Sequence, residues 1–425
     1  MELSKKLFFF FILCVFLINS QENFTVSGFV EDSASGETLI GVNVYTNDLK
    51  FGTTTNTIGF FSLTIPKGDT ELIFSFVGYE DFLQKINLKG NIQLSIDLVF
   101  SSQLIDEVTL ESKASNVKST QTSVISVPVK QIKSIPMLFG EVDILKSIQL
   151  LPGVQSGNEG TSGFYVRGGG PDQNLILLDG VPVYNASHLF GFFSVFNADA
   201  IKTVRLTKGG FPARFGGRLS SVLQIDMREG NSKKYNVDAT LGLISSKLTI
   251  EGPIIKEKTS FLLSGRRTYA DLLVKPFMPS NTKLKLYFYD LNAKLNYKIS
   301  NRDRIYLSGY FGRDVFSFAN ADNGFRIEIP WGNATGSLRW NHLFNDKLFM
   351  NTSLIFSDYR FEFNLAQSEF EFKIFSGIND WNTKVDFLYL PNQRHTIKFG
   401  TNYTYHAFTP GNATGRSGDV EFAPE

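Results

Sequence analysis

The chain has 425 residues, more than one ordinary domain contains, and 14% of them are aromatic. It carries 42 Lys and Arg against 41 Asp and Glu, so the net charge gives no electrostatic reason to expect a nucleic-acid partner. A single cysteine excludes a fold that depends on disulfides. The many aromatics, together with 36 glycines, favour a β-rich protein.

The N-terminal segment has the pattern of a secretory signal peptide. Two lysines precede the apolar run Leu7–Ile18, which is shorter than the ~20 residues of a membrane-spanning helix, and the small residue Ser20 follows. The run continues past Cys14, where a lipidated cysteine should end it. We expect residues 1–20 to be removed on export; a buried N-terminal helix is the alternative. No later run of apolar residues is long enough for a membrane helix, so the mature chain is soluble and exported or crosses a membrane as a β-barrel.

The next 100 residues predict one folded unit and a linker. Residues 21–100 contain short runs in which apolar and polar residues alternate between glycines and aspartates, and such runs predict a small β-sandwich. Residues 101–122 are mostly polar and predict an exposed linker. One short extended segment, Ile105–Leu110, is embedded in this linker.

Residues 123–230 predict a compact α+β domain of about 100 residues. Glu141–Leu151 has apolar residues near helical spacing, and Pro152 ends this pattern. A glycine-rich loop follows, and then the apolar strand Leu175–Leu178 with a turn at Asp179 and Gly180.

Residues 231–425 predict the N-terminal strands of an antiparallel transmembrane β-barrel. Apolar or aromatic residues alternate with polar ones over Tyr287–Ile299, Ala334–Phe344 and Trp381–Tyr389, with short turns between runs. Arg313–Gly332 and Tyr359–Lys373 are predicted to be long loops. Short turns at one end and long loops at the other are typical of an outer-membrane barrel. A large soluble β-sandwich is the alternative, but it has no reason to segregate its turns in this way.

The alternation also predicts which residues of one strand face lipid. We expect the apolar set on the lipid side and the polar set in the lumen, with charged substitutions tolerated only on the lumen side. The predicted lipid-facing residues are Tyr287, Tyr289, Leu291, Leu295 and Tyr297. The predicted lumen-facing residues are Asp290, Asn292, Lys294 and Asn296.

Three segments together resemble the TonB-dependent receptors of Bacteroidetes-type bacteria. Val26–Tyr79 resembles the carboxypeptidase regulatory-like domain of that family, through Gly41–Val44, Gly52–Phe61 and Val77–Glu80. Leu151–Ile225 resembles its plug domain. The matching plug pieces are Leu151–Val154, Tyr165–Gly169, Leu178–Val183, Ile201–Arg205, Lys208–Gly210 and Pro212–Gly217. Ile105–Leu110 resembles the TonB box, which alone is a weak signal.

The resemblance implies roles for particular residues. The box would pair as a strand with a TonB-type energy-coupling protein. Its residues are Ile105, Asp106, Glu107, Val108, Thr109 and Leu110. The plug-motif residues are Arg167, Gly168, Gly169, Asp179, Gly180, Arg205, Gly209 and Gly210. Arg167 would hold the plug inside the barrel through charge-assisted hydrogen bonds; a solvated loop arginine is the alternative.

The implied function is active uptake of a ligand across the outer membrane, with the sandwich in the periplasm. The expected partners are the TonB-type protein, outer-membrane lipid and a small-molecule or oligomeric ligand. A surface lipoprotein is a further candidate partner. Glycan, siderophore, cobalamin and peptide ligands all remain open. The family's barrel has about 22 strands, whereas about nine are predicted here. The sequence is therefore expected to stop within the barrel, and a naturally short variant is the alternative.

Two other classes of function are weighed against uptake. An enzyme is not favoured, because none of the four histidines has zinc-peptidase spacing and no Gly-x-Ser-x-Gly motif occurs. We expect no cofactor and no metal, and we interpret every histidine as a loop or barrel-wall residue. An adhesion or signalling receptor without transport is the second alternative, but an adhesin barrel would lack the plug.

Overall fold

The computed structural model describes residues 22–101, 123–133, 141–157, 163–392 and 395–422. The fold is mainly β, and its sheets fall into three groups along the chain. No helix among the described residues is long and apolar enough to cross a membrane.

The first group is the predicted small β-sandwich. A three-stranded sheet of order β4-β1-β7 packs on a four-stranded sheet of order β3-β2-β5-β6. The inward side chains of both sheets form one core, in which Val26, Val44 and Leu72 are fully buried. The strands are β1 (Asn23–Asp32), β2 (Asn43–Thr46), β3 (Gly52–Thr54), β4 (Phe60–Pro66), β5 (Gly68–Ser75), β6 (Phe82–Leu88) and β7 (Ile92–Leu98).

The second group, within residues 123–230, is called the central domain. A five-stranded sheet of order β12-β11-β16-β15-β8 carries short helices and hairpins. The predicted helix forms, and Asp143 caps it by accepting a 3.0 Å hydrogen bond from the Lys146 amide. Its elements are β8 (Val124–Pro128), α1 (Val129–Ile132), α2 (Ile144–Gln149), β9 (Val154–Ser156), β10 (Phe164–Val166), β11 (Asn174–Leu178), β12 (Val181–Pro182), β13 (Ser187–His188), β14 (Phe193–Ser194), β15 (Ile201–Thr207) and β16 (Ser221–Met227), with 3₁₀ turns at Pro171–Gln173 and Leu189–Gly191.

The third group is one ten-stranded antiparallel sheet, here called the long sheet, in which sequence neighbours are also spatial neighbours. Its strands β20 to β25 are long and have 17 to 23 residues each. Its elements are β17 (Asn236–Leu241), β18 (Ser245–Ile255), β19 (Thr259–Thr268), α3 (Ala270–Val274), a 3₁₀ turn (Lys275–Phe277), β20 (Thr282–Lys298), β21 (Asp303–Asn320), β22 (Phe325–Asn345), β23 (Leu348–Gln367), β24 (Phe370–Asn392), β25 (His395–Ser417) and β26 (Val420–Phe422).

The two predicted long loops are wrong. Arg313–Gly332 is mostly β21 and β22, joined by four residues, and Tyr359–Lys373 is mostly β23 and β24, joined by two. These segments contain charged and polar residues, which suggested loops. A strand that extends beyond the hydrocarbon layer needs no apolar outer face, however, and the ladder to its neighbours satisfies its backbone.

The predicted faces of β20 are those of the structure. Asp290, Asn292, Lys294 and Asn296 are buried on one side, while Leu291 on the other is 51% exposed. The rest of the predicted apolar set shares the side of Leu291. The expectation that the inner face tolerates charge is revised at Asn292, because this residue is only 1% exposed. Its neighbours on the same face, Asp290 and Lys294, both contact the central domain, so Asn292 lies where the sheet faces that domain.

Candidate functional site

The central domain is anchored to the inner face of the long sheet through the turn that joins β11 and β12. Asp179 and Gly180 both have positive φ, of 49° and 86°, as a tight hairpin turn requires. Asp179 accepts a 2.8 Å hydrogen bond from the Met227 amide and forms a 2.8 Å ion pair with Lys294 of β20. Its carbonyl oxygen accepts a 2.6 Å hydrogen bond from Arg339 of β22. The turn therefore joins two strands of the long sheet to the core of the central domain.

A second anchor surrounds His188 in β13. Its Nδ1 lies 2.6 Å from Asp314, its Nε2 lies 3.3 Å from Asp290, and its ring stacks on Phe288 at 4.0 Å. Burial lowers the pKa of His188, but the two carboxylates outweigh burial and raise it above the ordinary value. The interpretation of every histidine as a loop or barrel-wall residue is wrong for His188, which joins the central domain to the long sheet. Asp314 also accepts a 2.8 Å hydrogen bond from the Leu189 amide.

Asp290 of this second anchor is also the first member of a chain of buried charges of alternating sign. Arg266 of β19 lies 2.6 Å from Asp290, donates a 2.9 Å hydrogen bond to the Ser194 carbonyl, and lies 3.8 Å from Glu141. Lys247 of β18 lies 3.6 Å from Glu141. Because each buried charge has an opposite neighbour, this interface keeps its charges without leaving one uncompensated.

The remaining plug-motif residues lie within the central domain. Arg167 has a φ of 49° and is exposed. It donates a 3.2 Å hydrogen bond to Ser123, so this hydrogen bond lies within the central domain and does not reach the long sheet. Arg205 pairs with Asp226 at 3.1 Å. The glycines Gly168, Gly209 and Gly210 all have positive φ. A Cβ at Gly169 would lie 2.4 Å from the Ser220 Cβ, so only glycine fits there.

The predicted TonB-box residues, Ile105, Asp106, Glu107, Val108, Thr109 and Leu110, lie outside the described residues. Their role stays a prediction.

The sandwich packs against one end of the long sheet, near the turns that precede β21 and β23. Phe60 of the sandwich lies buried against Phe349 of β23, with ring centroids 6.2 Å apart, in a cluster that includes Tyr306. Around the cluster, Arg304 pairs with Glu31 at 2.9 Å. Asp346, in the turn before β23, accepts a 2.9 Å hydrogen bond from Ser27 and one of 2.7 Å from Gln93.

Glu229 is a residue at which all three parts of the chain meet. It accepts a 2.6 Å hydrogen bond from Thr38 of the sandwich, lies 3.4 Å from Lys202 of β15, and accepts a 3.3 Å hydrogen bond from Asn296 of β20. Burial raises the pKa of Glu229, but the nearby cations outweigh burial and lower the pKa to about 2. The carboxylate is therefore ionised at neutral pH and ties the sandwich to the central domain and the sheet.

Sequence reasoning missed most of these partners. Lys294 and Asp290 were predicted only to face the lumen, and Glu229, Arg266 and Arg304 were not predicted to have any role. The alternation of β20 identified the inner face, but it carries no information on which residue of another domain lies opposite.

Two family models match the chain. The CarboxypepD_reg-like domain matches residues 26–110, and the TonB-dependent Receptor Plug Domain matches residues 116–221. TonB-dependent receptor P3 of Formosa agariphila is 24% identical over 329 residues, which cover 74% of this chain and 31% of that protein. TonB-dependent receptor SusC of Bacteroides thetaiotaomicron is 27% identical over 281 residues, which cover 61% of this chain and 26% of that protein.

The chain therefore spans less than a third of the length of these relatives. Among solved structures, a mutant of the ferric enterobactin receptor PfeA of Pseudomonas aeruginosa is 13% identical, with a TM-score of 0.42, over 70% of this chain and 57% of that one.

Proposed function

Because the chain belongs to the TonB-dependent receptors of the Bacteroidetes type, we propose that it acts in the active uptake of a ligand across the bacterial outer membrane. The observation that carries this proposal is the ion-paired anchoring of the plug on the polar inner face of an amphipathic sheet. Lys294 and Arg266 face inward and meet plug groups, whereas Leu291 faces outward. A sheet with this polarity suits a membrane barrel around a plug.

The proposed coupling uses the linker. A TonB-type protein in the inner membrane would pair with Ile105–Leu110 by adding a strand, so main-chain hydrogen bonds would carry the pulling force. Asp106 and Glu107 would bias which partner strand is accepted. The segment precedes β8, the edge strand of the plug sheet, so tension on it would act first on that edge.

Val108→Pro is expected to weaken binding of the TonB-type protein's periplasmic domain at least about tenfold, because proline removes a backbone donor needed for strand pairing. Isothermal titration calorimetry of the purified receptor with that domain measures the dissociation constant. Val108→Thr keeps the N–H and the β-branched shape, so it is the matched control and should bind as the unchanged receptor does.

Two results would contradict the proposal in different ways. If Val108→Pro binds like the control, the coupling segment lies elsewhere. If no variant and not even the unchanged receptor binds the TonB-type domain, a signalling or adhesion receptor without transport becomes the better interpretation.

We further propose the outer membrane as the location, with the sandwich in the periplasm. The proposed domain division is residues 1–20 signal peptide, 21–100 sandwich, 101–122 linker, 123–230 plug and 231–425 barrel strands. N-terminal sequencing of the protein isolated from outer membranes should begin at Gln21, because the signal peptide is cleaved on export. A sequence beginning at Met1 would exclude cleavage.

A further inference from the structure

The polarity of the barrel strands reverses along their length. In β20, the outer residues over Tyr287–Tyr297 are apolar or aromatic, but in the half of the strand farther from the sandwich the outer residues are Lys283 and Lys285. The inner residues there are Leu284 and Leu286. Side chains of one strand alternate between faces, so the apolar side has moved from the outside to the inside.

The reversal is shared by five neighbouring strands. Residues paired across a ladder lie on the same face, and the register of β20 to β24 aligns two inner rows, the first without a break and the second with a break between Ile329 and Phe363. We call these ten residues the inner band. One row is Leu284, Phe318, Ile327, Leu365 and Phe372, and the other is Leu286, Phe316, Ile329, Phe363 and Ile374. All ten are hydrocarbon side chains and all are only partly buried.

The outer face at the same level is charged. Between the two inner rows lies an outer row that contains Lys285, Glu328 and Lys373. Charged outward side chains do not lie in the hydrocarbon layer, so this part of the sheet stands clear of the membrane. Lipid therefore does not explain the apolar inner band, and a partly exposed apolar surface of this extent marks a site of interaction.

The plug supplies an aromatic floor to the band. Phe190 is 54% exposed. Its backbone has a φ of 55°, a conformation that residues other than glycine rarely adopt. Its ring lies 4.8 Å from Trp331 and 5.6 Å from Phe316 of the inner band. Phe192, two residues on, is also 54% exposed. The strained turn thus holds an aromatic ring out of the plug and against the wall above it.

We propose that the inner band and Phe190 form a binding site for an uncharged, predominantly apolar ligand, which, under the proposed function, is the transported molecule. The ten band residues include no charged side chain, so an anionic ligand would lose water without gaining a counter-charge. They also offer no hydrogen-bonding side chain, so the hydroxyls of an oligosaccharide would be left without partners. Hydrocarbon and aromatic surface is the chemistry that the site does supply.

A pair of fluorescent probes tests the ligand class. N-phenyl-1-naphthylamine and 8-anilinonaphthalene-1-sulfonate share a ring system, but only the second is charged. Each probe is titrated against the receptor purified from outer membranes into lipid nanodiscs, with empty nanodiscs as the blank. The neutral probe should bind saturably, with a dissociation constant at least about tenfold lower than that of the sulfonate. Equal affinities, or no saturable binding above the blank, would overturn the proposal.

Matched variants test the location. Phe363→Glu places a charge in the inner band and should weaken binding of the neutral probe about tenfold, whereas Asn364→Glu places the same charge on the outer face and should leave the affinity unchanged. Phe190→Ser removes an exposed ring, so it tests the site without depending on the folding of the first variant, and it should also weaken binding. Unchanged affinity in both Phe363→Glu and Phe190→Ser would overturn the assignment.

Maltoheptaose provides a competitor from the alternative ligand class. It should not displace the neutral probe, and displacement would show that the site accepts glycans instead. These titrations involve no TonB-type protein, so a failure here leaves the proposed function standing. Loss of TonB binding in the earlier experiment would likewise leave the ligand class intact.

Discussion

Replacing Lys294 by methionine is expected to destabilise the folded receptor by about 3–5 kcal/mol, because it removes the cation from a buried ion pair and leaves the other partner charged. Lys294 and Asp179 are both nearly inaccessible to water and lie 2.8 Å apart. Methionine keeps most of the length of lysine, so lost packing contributes little. The free energy of unfolding in guanidinium measures the total effect, and hydrogen exchange of the β11–β12 hairpin shows whether the plug loosens first.

Lys283→Met is the matched control, because Lys283 is an exposed residue on the outer face of the same strand. It should change the free energy of unfolding by less than about 0.5 kcal/mol. Adding Asp179→Asn to Lys294→Met should restore part of the loss, since the uncompensated carboxylate is then gone. If Lys294→Met and Lys283→Met prove equally stable, the ion pair does not anchor the plug.

The sequence made the faces of β20 predictable because a strand has a period of two and each set of residues has one chemical character. Asp179 was also predictable as a motif residue, since a hairpin turn with two positive φ values restricts which residues fit. Its partner was not predictable. Lys294 lies more than 100 positions further along the chain, and only the docking of the plug on the sheet brings the two side chains together.

The wrong loops and His188 have related physical causes. In β21, the polar-inside pattern ends at Asp314 and an apolar-inside pattern begins at Phe316, so a search for one uninterrupted alternation fails at that point. His188 meets Asp314 at this same level. A single histidine in a short plug strand has no local pattern that identifies a partner 126 residues away.

The apolar outer face of the barrel gives the second large expected effect. Leu291 lies near the middle of the outer apolar stretch Tyr287–Tyr297, whose eleven residues are enough to cross the hydrocarbon layer as a tilted strand. Leu291→Arg should destabilise the membrane-embedded receptor by about 2–4 kcal/mol, because a guanidinium at mid-membrane loses its water. In a receptor that carries the complete set of barrel strands, the fraction that migrates as a folded, heat-modifiable band after assembly in the outer membrane measures this effect.

Leu291→Phe keeps the outer face apolar and should assemble like the unchanged receptor, so it separates the effect of charge from that of substitution at this position. Asn292→Arg should also fail, but for a different reason: Asn292 is 1% exposed on the plug side, and an arginine there would have to displace the plug. Proteolysis distinguishes the two defects, since Asn292→Arg should leave a membrane-inserted barrel with a cleavable plug, whereas Leu291→Arg should leave less inserted barrel. Equal yields for Leu291→Arg and Leu291→Phe would mean that this face of β20 does not contact lipid.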